Sequence, residues 1–129
     1  AWDADNLLDG ILKPTVDAAT VNMGSKWRMP THKDCVELLS NTNYEYAEIN
    51  GVKGGKFINK NDSSKYIFLP FAGVAVNGSF GNQGVGGVVW SSSINSGNLE
   101  AAYIVGGDES GLADSAFPRY FALPVRGVC

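Results

Sequence analysis

Residues 21–31 read VNMGSKWRMPT and separate two segments with helical periodicity. Gly24 adopts the left-handed conformation without strain, so it predicts the end of the first helix. Trp27 would bury a large apolar surface, and Pro30 fixes the direction of the chain just before Thr31, a favoured N-cap residue. We therefore interpret this stretch as a core anchor and a helix start rather than as a site of chemistry.

Two short helices are predicted on either side of this stretch. The first covers residues 14–23 and starts at Thr15. Its buried face would consist of Val16, Ala19, Thr20 and Met23. The second follows Thr31, because Asp34 three positions later matches a capping box, and ends at residues 40–41. Its buried face would consist of Cys35, Leu38 and Leu39.

After residue 41 the pattern changes from helix to strand. Asn50-Gly51, between runs rich in aromatic and β-branched residues, is a strong hairpin signal. The other predicted strands are residues 66–69, which end at Pro70, and residues 88–90, 99–105 and 119–128. Residues 77–87, 91–93 and 106–118 are predicted to be connections or loops. The pattern predicts one α+β domain, residues 1–129, with two short helices, a mostly antiparallel twisted sheet and long C-terminal loops.

Composition argues against several classes of partner. The chain of 129 residues has a net charge of −3, which gives no positive field for nucleic acid or an anionic membrane. No apolar run approaches the roughly 20 residues that cross a bilayer, so we expect no membrane insertion by this chain. The sequence begins without Met or a signal peptide, and we expect a mature or trimmed piece of a larger secreted or surface protein.

Few residues are suited to catalysis or to a cofactor. His32 is the only histidine, so neither a zinc site nor a Ser-His-Asp triad has the residues it needs. The Gly-rich residues 81–87 lack the Lys-Ser/Thr of a phosphate-binding loop. We expect no catalytic residue, no metal and no cofactor. A calcium site built from Asp108, Glu109 and Asp114 is the one metal arrangement that stays open.

Five motifs resemble, in the same order, those of the Fibrobacter succinogenes major paralogous domain family. They are residues 21–31, Asn50-Gly51, residues 67–73 (IFLPFAG), residues 90–93 (WSSS) and residues 125–129 (VRGVC). Phe71, Val89 and Gly127 depart mildly from the residues usual in that family. The resemblance implies a C-type-lectin-like fold, similar to that of formylglycine-generating enzymes and of the variable proteins of diversity-generating retroelements. It also implies a place outside the cell, on a bacterial surface or a phage virion.

Cys35 and Cys129 are 129 − 35 = 94 positions apart. They are either two unrelated small apolar residues or a disulfide that closes a long loop, which the chain-entropy model credits with about 4 kcal/mol. The resemblance favours a disulfide, because in the C-type lectin fold a bridge commonly joins the first part of the domain to the final strand. Such a bridge would place the chain in an oxidising compartment.

Residues 91–120 combine small polar, aromatic and charged residues on a scaffold of strands, a composition typical of recognition loops. In the retroelement proteins that the chain resembles, this face contacts a partner. We therefore expect a ligand-recognition module, an adhesin or receptor-binding domain for a protein or a glycan. Its site residues would be Ser93, Asn95, Asn98, Tyr103, Asp108, Glu109, Phe117, Arg119 and Tyr120. Two alternatives stay open: a structural or fimbrial module without its own ligand, and a formylglycine-generating type of enzyme with two reactive thiols and copper.

Overall fold

The computed structural model describes residues 2–113 and 115–129, and in that part of the chain two short helices accompany three sheets. The helices are α1 (Ala18–Met23) and α2 (His32–Asn41), and a 3-10 turn covers Ala4–Asn6. The strands are β1 (Leu7–Leu8), β2 (Ile11–Leu12), β3 (Thr42–Ile49), β4 (Val52–Asn59), β5 (Tyr66–Pro70), β6 (Val74–Val76), β7 (Ser79–Gly81), β8 (Gly86–Ile94), β9 (Ala101–Asp108), β10 (Gly111–Ala113) and β11 (Ala116–Pro118). The strand pairs are antiparallel, which confirms the α+β class with mostly antiparallel sheet.

The Asp17 side chain caps α1 and accepts hydrogen bonds from two backbone amides of the first turn, at 2.9 and 3.0 Å. The predicted start at Thr15 is wrong, because residues 14–16 form a turn. The predicted end is confirmed, since Gly24 has a φ of 96° and its amide donates to the last turn of the helix.

The capping box predicted for α2 is confirmed. The Thr31 hydroxyl accepts from the Asp34 amide, and the Asp34 carboxylate accepts from the Thr31 amide at 2.7 Å. The predicted inner face is also confirmed, because Cys35 is buried and Leu38 and Leu39 are partly buried against the same cluster. No helix in residues 2–113 and 115–129 is long and apolar enough to cross a bilayer.

β3, β4 and β5 form a three-stranded sheet in that order. The predicted hairpin joins β3 to β4, and positive φ angles of 51° at Asn50 and 79° at Gly51 fit a type I′ turn. One face of this sheet packs against α2. This face, α2 and one side of β8 and β9 form what we call the second core cluster, which comprises Cys35, Phe57, Leu69, Val89 and Val105.

β8 and β9 form the centre of the largest sheet, with strand order β1-β2-β8-β9-β10 and β11 paired to β9. Both faces of these two strands are buried. One face contributes to the first core cluster, which comprises Leu12, Ala19, Met29, Val88, Trp90, Ala102 and Ile104. The other face contributes Val89 and Val105 to the second core cluster. β8 and β9 are therefore the wall that the two clusters share.

The late part of the chain differs from the prediction in four segments. Residues 91–93 do not leave the strand: they stay in β8 and are buried. Residues 77–87 contain the turn and the second strand of the β6–β7 hairpin and the start of β8, and residues 106–118 contain β10 and β11. Residues 119–128 do not form a strand, because Pro124 and the turn at residues 119–120 interrupt pairing. They make isolated bridges at Ala122 and Val128, and the Pro124 carbonyl accepts from the Trp90 amide of β8 at 3.2 Å.

Candidate functional site

Three of the nine predicted site residues line one groove, which we call the Arg119 groove. They are Asn98, Arg119 and Tyr120, and the groove has a volume of about 950 Å³. The remaining lining residues come from the N-terminus, the turn before β9, β9 and β11: Trp2, Asp3, Glu100, Ala101, Ala116 and Pro118. The N-terminal contribution was missed at the sequence level, because no local pattern links Trp2 to residues near position 119.

Arg119 is held by two backbone contacts. One guanidinium nitrogen donates to the Trp2 carbonyl at 2.6 Å, and the Arg119 amide donates to the Glu100 carbonyl at 3.0 Å. Its Nε is buried and has no hydrogen-bond partner among the described residues. Arg119 therefore joins the N-terminal residues to the C-terminal face and fixes the shape of the groove.

Tyr120 is the exposed aromatic group of the groove, with 70% of its surface accessible. Its ring lies 5.2 Å from that of Phe121, and Phe121 packs edge-to-face on Phe117 at 5.4 Å. Phe117 in turn packs against the first core cluster. Of the three predicted aromatic residues, Tyr120 is thus presented to solvent and Phe117 supports it through Phe121, while Tyr103 does not line this groove.

Asn98 uses its side-chain oxygen to hold the turn before β9, accepting from the Glu100 amide at 3.1 Å. Asn95 does the same for the Gly97 amide at 2.8 Å. The side-chain amide nitrogens make no hydrogen bond to any described residue, so they remain available as donors. Of the two, only Asn98 lines the Arg119 groove.

The groove offers both hydrogen-bond donors and acceptors beside an aromatic ring. Asp3 and Glu100 are exposed carboxylates without an ion pair in the described part of the chain. Remaining guanidinium hydrogens of Arg119 and the Asn98 amide supply donors. Such a set suits a polar ligand whose flat or apolar face rests on Tyr120.

Ser93 and Tyr103 lie elsewhere, beside the start of α2. Ser93 is 8% exposed, and its hydroxyl accepts from the His32 amide at 3.0 Å. The Tyr103 ring stacks on the His32 ring, with centroids 3.6 Å apart and planes 9° from parallel. These contacts anchor the first turn of α2 to the central sheet, and neither residue lines the Arg119 groove.

Asp108 and Glu109 lie at the far end of β9, about 23 Å along the strand from its first residue. The Asp108 carboxylate accepts from the Ser110 hydroxyl and from two following amides, and the Ser110 hydroxyl is the main cause of its lowered pKa. Glu109 lies 3.8 Å from the Lys53 ammonium. The structure therefore separates these two acids from the Arg119 groove.

A second groove was not predicted, and we call it the α2–β5 groove. Its volume is about 630 Å³, and it lies among α2, β5 and the C-terminal residues. Leu38, Ile67, Leu69 and Val89 give it an apolar lining, and Cys35 and Cys129 line it too. The two cysteines are not joined by a disulfide in this structure, with Cys35 buried and Cys129 exposed.

An ion pair lies at the rim of the α2–β5 groove, where Arg28 donates to the Asp34 carboxylate. This hydrogen bond, followed by those from Thr31, lowers the pKa of Asp34 from 3.8 to about 2. The same contact raises the pKa of Arg28. Arg28 therefore ties residues 21–31 to the first turn of α2. Trp27, predicted to anchor the core, is only partly buried and lines this groove, and Met29 is the residue of the stretch that joins the first core cluster.

Among the described residues, no three His, Cys, Asp or Glu side chains gather into a possible metal site. Asp114, the third acid of the calcium arrangement considered above, lies outside those residues. Comparisons with protein families, with characterised proteins and with solved structures found no match to this chain.

Proposed function

We propose that this chain is a non-catalytic ligand-recognition module that binds a protein or a glycan through the Arg119 groove. The observation that carries the proposal is the placement of Tyr120, 70% exposed, beside Arg119 and Asn98 in one groove. Interface energy concentrates in aromatic and Arg residues, and adaptable polar groups around them adjust the fit. The proposal narrows the nine candidate residues to three.

The proposed fold is C-type-lectin-like, related to the Fibrobacter succinogenes major paralogous domain family and to retroelement variable proteins. Its support is the five ordered sequence motifs together with the α+β class of the chain. The proposed location is the surface of a bacterial cell or phage virion. A Cys35–Cys129 disulfide belongs to this proposal, and its support is that both residues line the α2–β5 groove.

The test is binding of the purified domain to a glycan array and to a panel of cell-surface proteins. For any ligand found, Tyr120→Ala is expected to weaken binding by about thirtyfold, the effect of losing an aromatic hot spot. Asn98→Ala should weaken it by a smaller factor. Phe80→Ala is the matched control, because Phe80 is 87% exposed and lies in β7, away from the groove.

Retained affinity in a folded Tyr120→Ala, Asn98→Ala double variant would show that the site lies elsewhere. If Phe80→Ala also lost affinity, the ligand would be binding exposed aromatic rings in general and not the Arg119 groove. Arg119→Ala is less informative as a first variant, because it also removes the contact that holds Trp2.

A further inference from the structure

β5 is an edge strand, and its register with β4 shows which of its backbone groups point outward. The Asn59 amide donates to the Lys65 carbonyl at 2.9 Å, and the Phe71 amide donates to the Lys53 carbonyl at 2.8 Å. Both contacts join residues directly opposite each other in the β4–β5 register. Hydrogen-bonded and non-hydrogen-bonded pairs alternate in an antiparallel ladder. The N–H and C=O groups of even-numbered residues in β5 therefore point away from β4.

The even-numbered residues of β5 are Tyr66 and Phe68, with Pro70 at the end of the strand. The N–H and C=O groups of Tyr66 and Phe68 make no hydrogen bond to any residue outside the sheet in the described part of the chain. Two donors and two acceptors thus form a short unpaired edge. Pro70 offers no N–H, and this limits strand pairing to the first part of β5.

The α2–β5 groove runs beside this edge. Ile67 and Leu69 point to the α2 side of the sheet and line the groove, while Leu38 and Val89 contribute apolar surface from α2 and β8. Ile67 remains 36% exposed. In a strand added next to β5, alternate side chains would point to the same side as Ile67 and cover this apolar surface.

Arg126 adds a charge at the groove. It lines the groove, is exposed, and makes no hydrogen bond or ion pair with any described residue. Arg28 differs, because its guanidinium is already paired with Asp34. Glu37 also lines the groove, is exposed and has no ion pair among the described residues. Arg126 and Glu37 together therefore favour a segment that carries both an acid and a base.

We infer that the β5 edge and the α2–β5 groove together bind an extended peptide segment of another protein by strand addition. The main chain of the peptide pairs with Tyr66 and Phe68, and alternate apolar side chains enter the groove. An acidic residue of the peptide meets Arg126 and a basic residue meets Glu37.

This site is separate from the Arg119 groove. It rests on Cys35 and Cys129 not being bridged to each other, as in this structure, because a disulfide between these two lining residues would occupy part of the groove. A second copy of this chain paired through β5 fits less well, because residues 65–71 contain no acid to meet Arg126.

The test uses a displayed library of nonapeptides that alternate Val, Ile or Leu with Ser, Thr, Glu or Lys. Selection on the folded domain is expected to enrich peptides that carry both Glu and Lys. In a bound peptide, N-methylation of alternate residues should abolish binding in one phase and preserve it in the other, because only one edge of the peptide faces β5. Amide exchange at Tyr66 and Phe68 should slow when the peptide binds.

Ile67→Thr should weaken the selected peptide about fivefold by removing apolar contact while keeping a β-branched residue. Val52→Thr is the matched control, since Val52 is 46% exposed and begins β4 away from the groove. The inference is overturned by a library without enrichment, or by binding that is equally sensitive to N-methylation in both phases. It is also overturned by sedimentation of the domain alone as a dimer that Phe68→Pro dissociates, a result that would assign the edge to a second copy.

Discussion

Asp17 connects α1 to the stretch that precedes α2, and its replacement by Ala tests how that junction is held. The carboxylate is 4% exposed. It accepts from two amides at the start of α1 and from the Met29 amide, at 2.9 Å to Oδ2 and 3.1 Å to Oδ1. Met29 is itself 3% exposed, so water cannot easily replace the lost acceptor.

Asp17→Ala should lower the free energy of unfolding by about 3 kcal/mol. Loss of the helix cap accounts for about 1 kcal/mol. The buried Met29 amide would lose its charge-assisted hydrogen bond, and this accounts for about 2 kcal/mol. Asp17→Asn should cost less, because the amide keeps one acceptor oxygen.

The assay monitors urea unfolding by tryptophan fluorescence and by circular dichroism. The free energies of unfolding of the variants are compared when their m-values agree. Asp5→Ala is the matched control, because Asp5 is exposed and its side chain makes no hydrogen bond to a described residue. That control should change stability by less than about 0.5 kcal/mol. A loss below about 1 kcal/mol in Asp17→Ala would mean that the Met29 amide finds another acceptor, and would refute the reasoning.

Three further predictions concern pH, redox state and packing. Hydrogen bonding to Arg28 holds the pKa of Asp34 near 2 against an ordinary 3.8, so ionised Asp34 contributes stability that is present above 3.8 and is lost as pH falls toward about 2. Asp34→Asn should therefore flatten the pH dependence of the urea midpoint across that interval, and an unchanged slope would contradict this account. Thiol titration of the denatured protein without reductant should detect no reactive thiol if the proposed Cys35–Cys129 disulfide forms, whereas two thiols per chain would remove the bridge from the proposal. Gly106→Ala should be strongly destabilising in thermal unfolding, because a Cβ would collide with the Gly87 carbonyl and Val88; Gly81→Ala, where a Cβ meets open space, should be neutral or slightly stabilising.

Features that depend on neighbouring residues could be predicted from the sequence. The Thr31–Asp34 capping box and the Asn50-Gly51 turn are each decided within four residues, and the structure contains both. Asn77-Gly78 forms a turn of the same kind, with φ angles of 50° and 76°. This hairpin was not predicted, because the Gly-rich residues after the turn lack the β-branched pattern that marks a strand.

Features that depend on distant pairing could not be predicted in this way. Residues 91–93 resemble a polar loop, yet the central position of β8 buries them, and their hydroxyl groups find partners such as the His32 amide. The contact between Arg119 and Trp2 spans nearly the whole chain. The candidate site was therefore predicted in part: its C-terminal residues were identified, but their partners at the N-terminus were not.

The shared wall of β8 and β9 has a consequence for cooperativity. Val88 and Val89 are adjacent in sequence but belong to different core clusters, so neither cluster can lose its packing while the other keeps an intact wall. We expect a single calorimetric transition, with the slowest hydrogen exchange at the β8–β9 amides. Phe117 rests on one side of that wall beneath Tyr120, and Val89 and Val105 line the α2–β5 groove on the other. A ligand bound in either groove should therefore raise the resistance of the whole domain to unfolding, rather than that of its own half.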